Sequence, residues 1–240
     1  MNKKTAPTKP EKKSEEETKV CLKPNPLDSN FSQLKISMET LTSDSEEYKM
    51  IDTYIQHGKH HYSKLTMVDC FKINREGEDK VYNPNNLGNK KLLWHGSRFS
   101  NFVGILSQGL RIAPPEAPST GYLFGKGVYF ADIIGKSFPY ACPHLSNGVG
   151  IYILAEVALG NTRELCSPDY DAANLPKGKD STHALGVVRP EESGNKKILK
   201  DVVVPLGKLQ DFRDGNFMGA NEYIVYNTNQ IKMHYIVRIK

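Results

Sequence analysis

The chain has little cysteine and no long apolar run, and each lack excludes something. Its four cysteines, Cys21, Cys70, Cys142 and Cys166, stand far apart, with no Cys-x-x-Cys pair. That spacing argues against a structural zinc site and a disulfide framework, and it fits a reducing compartment. No apolar stretch reaches membrane-spanning length. The opening residues, MNKKTAPTKPEKK, start basic but carry no apolar h-region, so a secretory signal is not expected. Neither Gly-x-Gly-x-x-Gly nor a Walker A sequence occurs, which removes the Rossmann and P-loop solutions to nucleotide binding. There is no internal repeat. A strong excess of either charge is missing too. A net +5 is compatible with anionic ligands or loose nucleic-acid association and specifies neither.

What remains is an ordinary globular balance, 240 residues of which 38% are hydrophobic and 25% charged, enough for one good core and a tail. Residues 1–22 form the tail. The first 19 hold six Lys, four Glu and two Pro, with Ala6 and Met1 as the other non-polar residues. So little apolar surface does not offset ordering entropy, and disorder is expected. The lysines suit either a solvated tail or a nuclear-targeting or weak polyanion-binding arm. Residues 23–43 read as a lead-in with one short strand or helix, and residues 44–240 as the main domain.

Within that domain, Ser43-Asp44-Ser45-Glu46 has the form of a capping box. The helix it predicts carries Tyr48, Ile51 and Ile55 and ends near Gly58. Strands are expected over 67–73, 127–132, 150–159, 202–204, 221–227 and 230–240. The last alternates Ile231, Met233, Tyr235, Val237 and Ile239 with mostly polar residues, the period of a half-buried antiparallel strand. Residues 160–199 and 211–220 read as loops. Short strands dominate and the few helices are not interleaved, so the fold class is α+β with antiparallel sheets.

The stretch KLLWHGSRFSNFVGILSQGLR, residues 91–111, organises the rest. An apolar strand at Leu92-Leu93-Trp94 breaks at His95-Gly96-Ser97 and runs into a helix that ends at Gly109. Such a turn delivers main-chain polar groups to a pocket, and a residue without Cβ lets a planar ligand approach them. Locally, a buried Trp beside a turn explains the same residues. The broken but apolar loop IAPPEAPSTGYLFGK, residues 112–126, is of a kind that usually serves a function.

Trp94-His95-Gly96-Ser97-Arg98, Gly127-Val128-Tyr129-Phe130-Ala131-Asp132 and Asn221-Glu222-Tyr223-Ile224-Val225-Tyr226, in that order, resemble the His-Tyr-Glu triad of the poly(ADP-ribose) polymerase (PARP) family. The runs GILSQGLRIAPPEAPSTGYLFGKGVYFAD (104–132), EVALGNTREL (156–165) and PNPLDSNFSQLK (24–35) resemble its DNA-damage-type members. The resemblance implies an ADP-ribosyltransferase fold, two packed antiparallel sheets with few peripheral helices and a central cleft for NAD+, with no metal. Gly96 would pair with the nicotinamide carboxamide and Ser137 would add a hydroxyl. Tyr140 would stack on the ring and Tyr129 wall its other side. His95 and Ser97 would hold the adenosine ribose, Gly109 and Arg111 the adenosine–pyrophosphate part, and Tyr122 the flap. His95, Tyr129 and Glu222 form the catalytic set, with Glu222 as its carboxylate.

The chemistry agrees. Nicotinamide leaves as a neutral group, so the reaction needs stabilisation of an oxocarbenium-like ribose more than a strong base. A carboxylate on the ribose 2′-OH supplies a pull that grows with the developing charge. Two tyrosines suit a flat aromatic leaving group. Glu222 shares a strand face with Ile224 and Tyr226, where its charge is poorly screened. In the family, glutamate here accompanies chain elongation, so polymer formation on protein acceptors, the chain itself among them, is the expected activity. The alternatives are single-unit transfer, NAD hydrolysis, or an NAD- or ADP-ribose-binding module without activity. The resemblance implies an intracellular, nuclear or cytoplasmic protein. It also makes residues 23–43 the remnant of the family's helical regulatory domain. With no DNA-reading module in this sequence, gating by DNA breaks is not expected. Two departures stand out. Gly219-Ala220 replaces a bulky Leu-Tyr pair before the catalytic glutamate, thinning the acceptor side, and Lys179-Asp180 stands where Lys-His is usual.

Overall fold

The computed structural model describes residues 25–84, 87–114, 116, 121–212 and 216–240. The expected tail, positions 115 and 117–120 of the proline loop, and positions 213–215 of the polar loop lie outside the described residues. Among the described residues no helix is long and apolar enough to cross a membrane.

Seven strands form the main sheet. They are β1 (Ile36–Thr40), β2 (Met67–Arg75), β3 (Lys90–Gly96), β5 (Gly150–Ala158), β9 (Lys196–Ile198), β10 (Val202–Val204) and β14 (Ile231–Ile239). Their order across the sheet is β1-β2-β14-β5-β3-β10-β9. A second sheet orders β4 (Val128–Phe130), β13 (Glu222–Val225), β7 (Ser181–Ala184) and β6 (Thr162–Leu165). A third joins β11 (Leu209–Asp211), β8 (Gly186–Pro190) and β12 (Met218–Ala220). Antiparallel pairs dominate, as expected, but β3–β10, β6–β7 and β8–β12 run parallel. The helices are α1 (Pro26–Gln33), α2 (Glu46–Gly58), α3 (Glu78–Val81), α4 (Phe102–Gln108) and α5 (Ile134–Ser137).

The apolar run in β5 is buried on both faces because it divides two cores. Tyr152 and Leu154 face Trp94 and the α2 residues Ile51, Tyr54 and Ile55. Ile153, Ala155 and Val157 face Phe102 and Leu106 of α4, and Phe130 and Tyr223 of the second sheet. Helix α2 follows its apolar spacing, but its cap is Ser45, whose Oγ accepts from Tyr48 N at 3.2 Å. Ser43 is consumed by a preceding turn closed by Ser45 N and Thr42 O at 3.0 Å, so the N-cap moves two residues on and, with Tyr48 at N3, the expected capping box does not form.

Other boundaries differ for identifiable reasons. Strand β3 does not break at His95, because His95 and Gly96 still pair with Ile153 and Tyr152 of β5. The lead-in supplies β1, which pairs with β2 along its whole length and forms the edge of the main sheet. The segment read as loop over 160–199 contains β6, β7, β8 and β9, and the loop over 211–220 is bounded by β11 and β12. These strands span three to five residues, too few for alternation to emerge. Asp180 anchors the turn after β5. Its Oδ2 accepts from Asn161 N at 2.8 Å, beside Gly160 at φ +60°.

A backbone bridge joins the main sheet to the second. Trp94 N donates to Ala131 O at 2.8 Å and Ala131 N donates to Trp94 O at 3.0 Å. That bridge brings the end of β3 against β4, and β4 pairs with β13 through Phe130↔Tyr223 and Tyr129↔Ile224. The three quoted motifs thus converge although they are far apart in the chain.

Candidate active site

All ten residues expected at the site line one open cavity of about 1010 Å³. It is bounded by the end of β3, helix α4, the loop before β4, helix α5 and the start of β13.

Gly96 lines the cavity beside Ser137. A Cβ there would lie 2.2 Å from Ser137 O, so a side chain cannot occupy the space that its main chain now borders. Ser137 is buried and its Oγ donates to Trp94 O at 3.2 Å, which pins α5 to β3. Tyr140 follows on a 3-10 turn and is 58% exposed, a ring at the cavity rim. Tyr129 also lines the cavity. Its hydroxyl accepts from Phe124 N at 3.0 Å and donates to Gly125 O at 2.7 Å. Burial raises this phenol above its ordinary value. A neutral phenol with both hydrogen bonds committed is a wall, not a proton donor or base.

His95 Nδ1 lies 2.8 Å from Tyr129 O. A carbonyl only accepts, so Nδ1 carries the proton and Nε2 keeps its lone pair. Burial holds the imidazole below its ordinary value, with that hydrogen bond opposing. His95 is therefore a neutral acceptor at Nε2, suited to a sugar hydroxyl. Ser97 Oγ accepts from Asn101 Nδ2 at 3.0 Å and retains its own proton to donate. Gly109 ends α4 at φ +80°, backed by the Arg75 guanidinium, where a side chain would be strained. Arg111 is exposed and bonds Gln108 Oε1 at 2.7 Å. The Tyr122 ring lies 5.9 Å from that of Tyr129, extending the aromatic wall outward.

Glu222 opens β13 and is 6% exposed. Its Oε1 meets Lys136 Nζ of α5 at 2.5 Å. This lysine, which also lines the cavity, was not anticipated from sequence. It sits beside Ser137, but nothing in local spacing pairs it with a carboxylate so far along the chain. Its charge offsets much of the cost of burying Glu222.

A profile of the family "Poly(ADP-ribose) polymerase catalytic domain" matches residues 45–240. Poly(ADP-ribose) polymerase 2-A of Oryza sativa subsp. japonica is 48% identical over 221 residues, covering 90% of this chain and 33% of the rice protein. Poly(ADP-ribose) polymerase 1 of Gallus gallus is 43% identical over 221 residues, covering 90% and 22%. Poly(ADP-ribose) polymerase of Drosophila melanogaster is 42% identical over 233 residues, covering 95% and 23%. The chain belongs to the PARP catalytic-domain family, and it spans about a third or less of the length of these relatives.

Proposed function

We propose that the chain is an NAD+ ADP-ribosyltransferase that transfers ADP-ribose to protein acceptors, itself included, extends it into polymer, and releases nicotinamide. The observation that carries the reading is Glu222, a buried carboxylate at the cavity wall, on the strand paired with the one that bears Tyr129.

In this reading nicotinamide enters the slot at Gly96 and Ser137, between Tyr129 and Tyr140, and His95 and Ser97 take the adenosine ribose. The 2′-hydroxyl of the nicotinamide ribose donates to Glu222. As the C1′–N bond breaks, its electron pair leaves with nicotinamide, and the carboxylate stabilises the cationic ribose. The acceptor's nucleophilic atom then bonds C1′ and its proton passes to the carboxylate. Lys136 orients Glu222 before substrate arrives. Single-unit transfer is the second reading, and one observation favours it. A Cβ on Gly219 would meet nothing within 4 Å, and Ala220 carries only a methyl, so positions 219 and 220 have little side-chain bulk to grip a growing polymer.

Incubation of the purified chain with labelled NAD+, beside Glu222→Gln, tests the proposal. A high-molecular-weight smear that the variant loses is the expected result. One discrete labelled band indicates single transfer. Free ADP-ribose without labelled protein, or NAD+ binding without turnover, overturns transfer altogether.

A further inference from the structure

Behind Glu222 lies a buried polar network to which the reaction assigns no part. Asn221 and Tyr223 flank Glu222 in the chain, and Asp132 follows β4; all three are buried. Asn221 Nδ2 donates to Asp132 Oδ2 at 2.7 Å, and the Tyr223 hydroxyl donates to the same oxygen at 3.1 Å. On its other side Asn221 Oδ1 accepts from Gly186 N at 2.8 Å. A main-chain N–H only donates, so the amide oxygen must face Gly186 and the amide nitrogen must face Asp132. The amide has one permitted orientation, and Asp132 has to be an acceptor.

The main chain is held as closely. A Cβ on Gly186 would fall 2.1 Å from Ala220 C and 2.3 Å from Asn221 N, so β8 touches the peptide leading into Glu222 at a distance only glycine permits. Alternate residues of a strand face opposite ways. Residues 221 and 223 turn to the network, and residue 222 turns to Lys136 and the cavity. Every polar contact in the network thus constrains the strand that carries the Glu222 carboxylate.

We infer that Asp132, Asn221 and Gly186 are positioning residues that set the direction of the Glu222 carboxylate through its two neighbours. The inference rests on the reading of Glu222 as the group that engages the ribose. Its energetic logic is that a reacting group displaced by about 1 Å loses about 100-fold in rate while remote substrate contacts persist.

The test measures kcat and KM for NAD+, together with the melting temperature, in four variants of the purified chain: Asn221→Asp, Asp132→Asn, the double variant, and Glu222→Gln as reference. Asn221→Asp sets two buried carboxylates face to face, and its kcat is expected to fall about 100-fold with KM for NAD+ unchanged. Asp132→Asn still offers an oxygen to Asn221 and loses less. The double variant exchanges the two groups: the amide introduced at position 132 donates to the carboxylate introduced at position 221. That carboxylate still accepts from Gly186 N, and kcat recovers most of the loss. Wild-type kcat in a folded Asn221→Asp overturns the inference. So does a double variant that regains its melting temperature but not its kcat, because the network then serves folding alone. If Asn221→Asp does not fold, Tyr223→Phe replaces it: lowered kcat at wild-type KM supports positioning, and wild-type kcat overturns it. Glu222→Gln with wild-type kcat sinks the reading of Glu222 instead, and the other variants separate the two failures.

Discussion

A methyl group decides much at position 96. Built on Gly96, it would stand 2.2 Å from Ser137 O, so Gly96→Ala must push α5 away from β3. Overpacking of this kind costs about 1–3 kcal/mol. Gly96→Ala is expected to weaken NAD+ and nicotinamide binding at least about tenfold, an effect calorimetric titration would read directly. Unchanged affinity would remove the slot from the site. Lys136 gives a second prediction at this scale. Lys136→Met strands a buried carboxylate, and losing one partner of a buried pair costs about 3 kcal/mol. Melting temperature and turnover should both drop, and adding Glu222→Gln should restore the first but not the second. Of this pair only Glu222 was legible in the sequence, because it lies in a recognisable strand motif. Lys136 acquires its role by packing across α5 and β13, and packing leaves no local periodicity to read.

Among the elements, those that carry their own signal were legible and those defined by neighbours were not. Helix α2 announces itself by apolar spacing, with Met50, Ile51, Tyr54 and Ile55 all buried. Its start slipped because Ser43 and Ser45 are equally good caps in isolation, and the turn at Thr42 chose between them. Alternation predicts strand β14, yet Tyr235, Ile236 and Val237 are buried in succession, since β14 lies between β2 and β5 with a register shift at Met233/Tyr235. By contrast, β6 (TREL) and β7 (STHA) hold no pattern of their own and exist through pairing with each other and with β13. The departure at Asp180 now has a physical account, as the acceptor that fixes the turn after β5. A prediction belongs here too. Tyr54 of α2 is fully buried and its hydroxyl donates to Leu92 O of β3 at 3.0 Å. Tyr54→Phe deletes that tie between helix and sheet without opening a cavity. The expected loss is about 1 kcal/mol in denaturant unfolding; no loss would mean the carbonyl finds another donor.

For the molecule as a whole, pH acts through histidines kept neutral by the fold. Burial first, and then the charge of Lys91, bring His183 down to about 4 from an ordinary 6.5, and its ring stacks on Tyr223 at 4.3 Å. Between those values the unfolded chain binds a proton that the folded chain refuses, so stability declines as pH falls through that window. The decline approaches about 1.4 kcal/mol per pH unit for one such group. His95, held low by the same cause, adds the same sign. The histidine share of the melting temperature should therefore fall from pH 7 to pH 4, against the opposite sign of the Asp132 and Glu78 carboxyls that burial raises, and His183→Gln should flatten part of the curve. An unaltered slope in that variant would show that His183 takes no share.

The place of β14 in the main sheet also dictates when the molecule can assemble. It lies between β2 and β5 and pairs with both, so β1 and β2, made early, have no route to the sheet centre until residues 231–239 have been synthesised. A nascent chain released only as far as residue 200 therefore holds β1–β2 and β3–β5 without the strand that pairs with both. Closure across so long a sequence separation is slow, and the unpaired edges of β2 and β5 are exposed to other chains in the interval. Shortening the chain within β14 would leave the nascent protein permanently in that vulnerable condition.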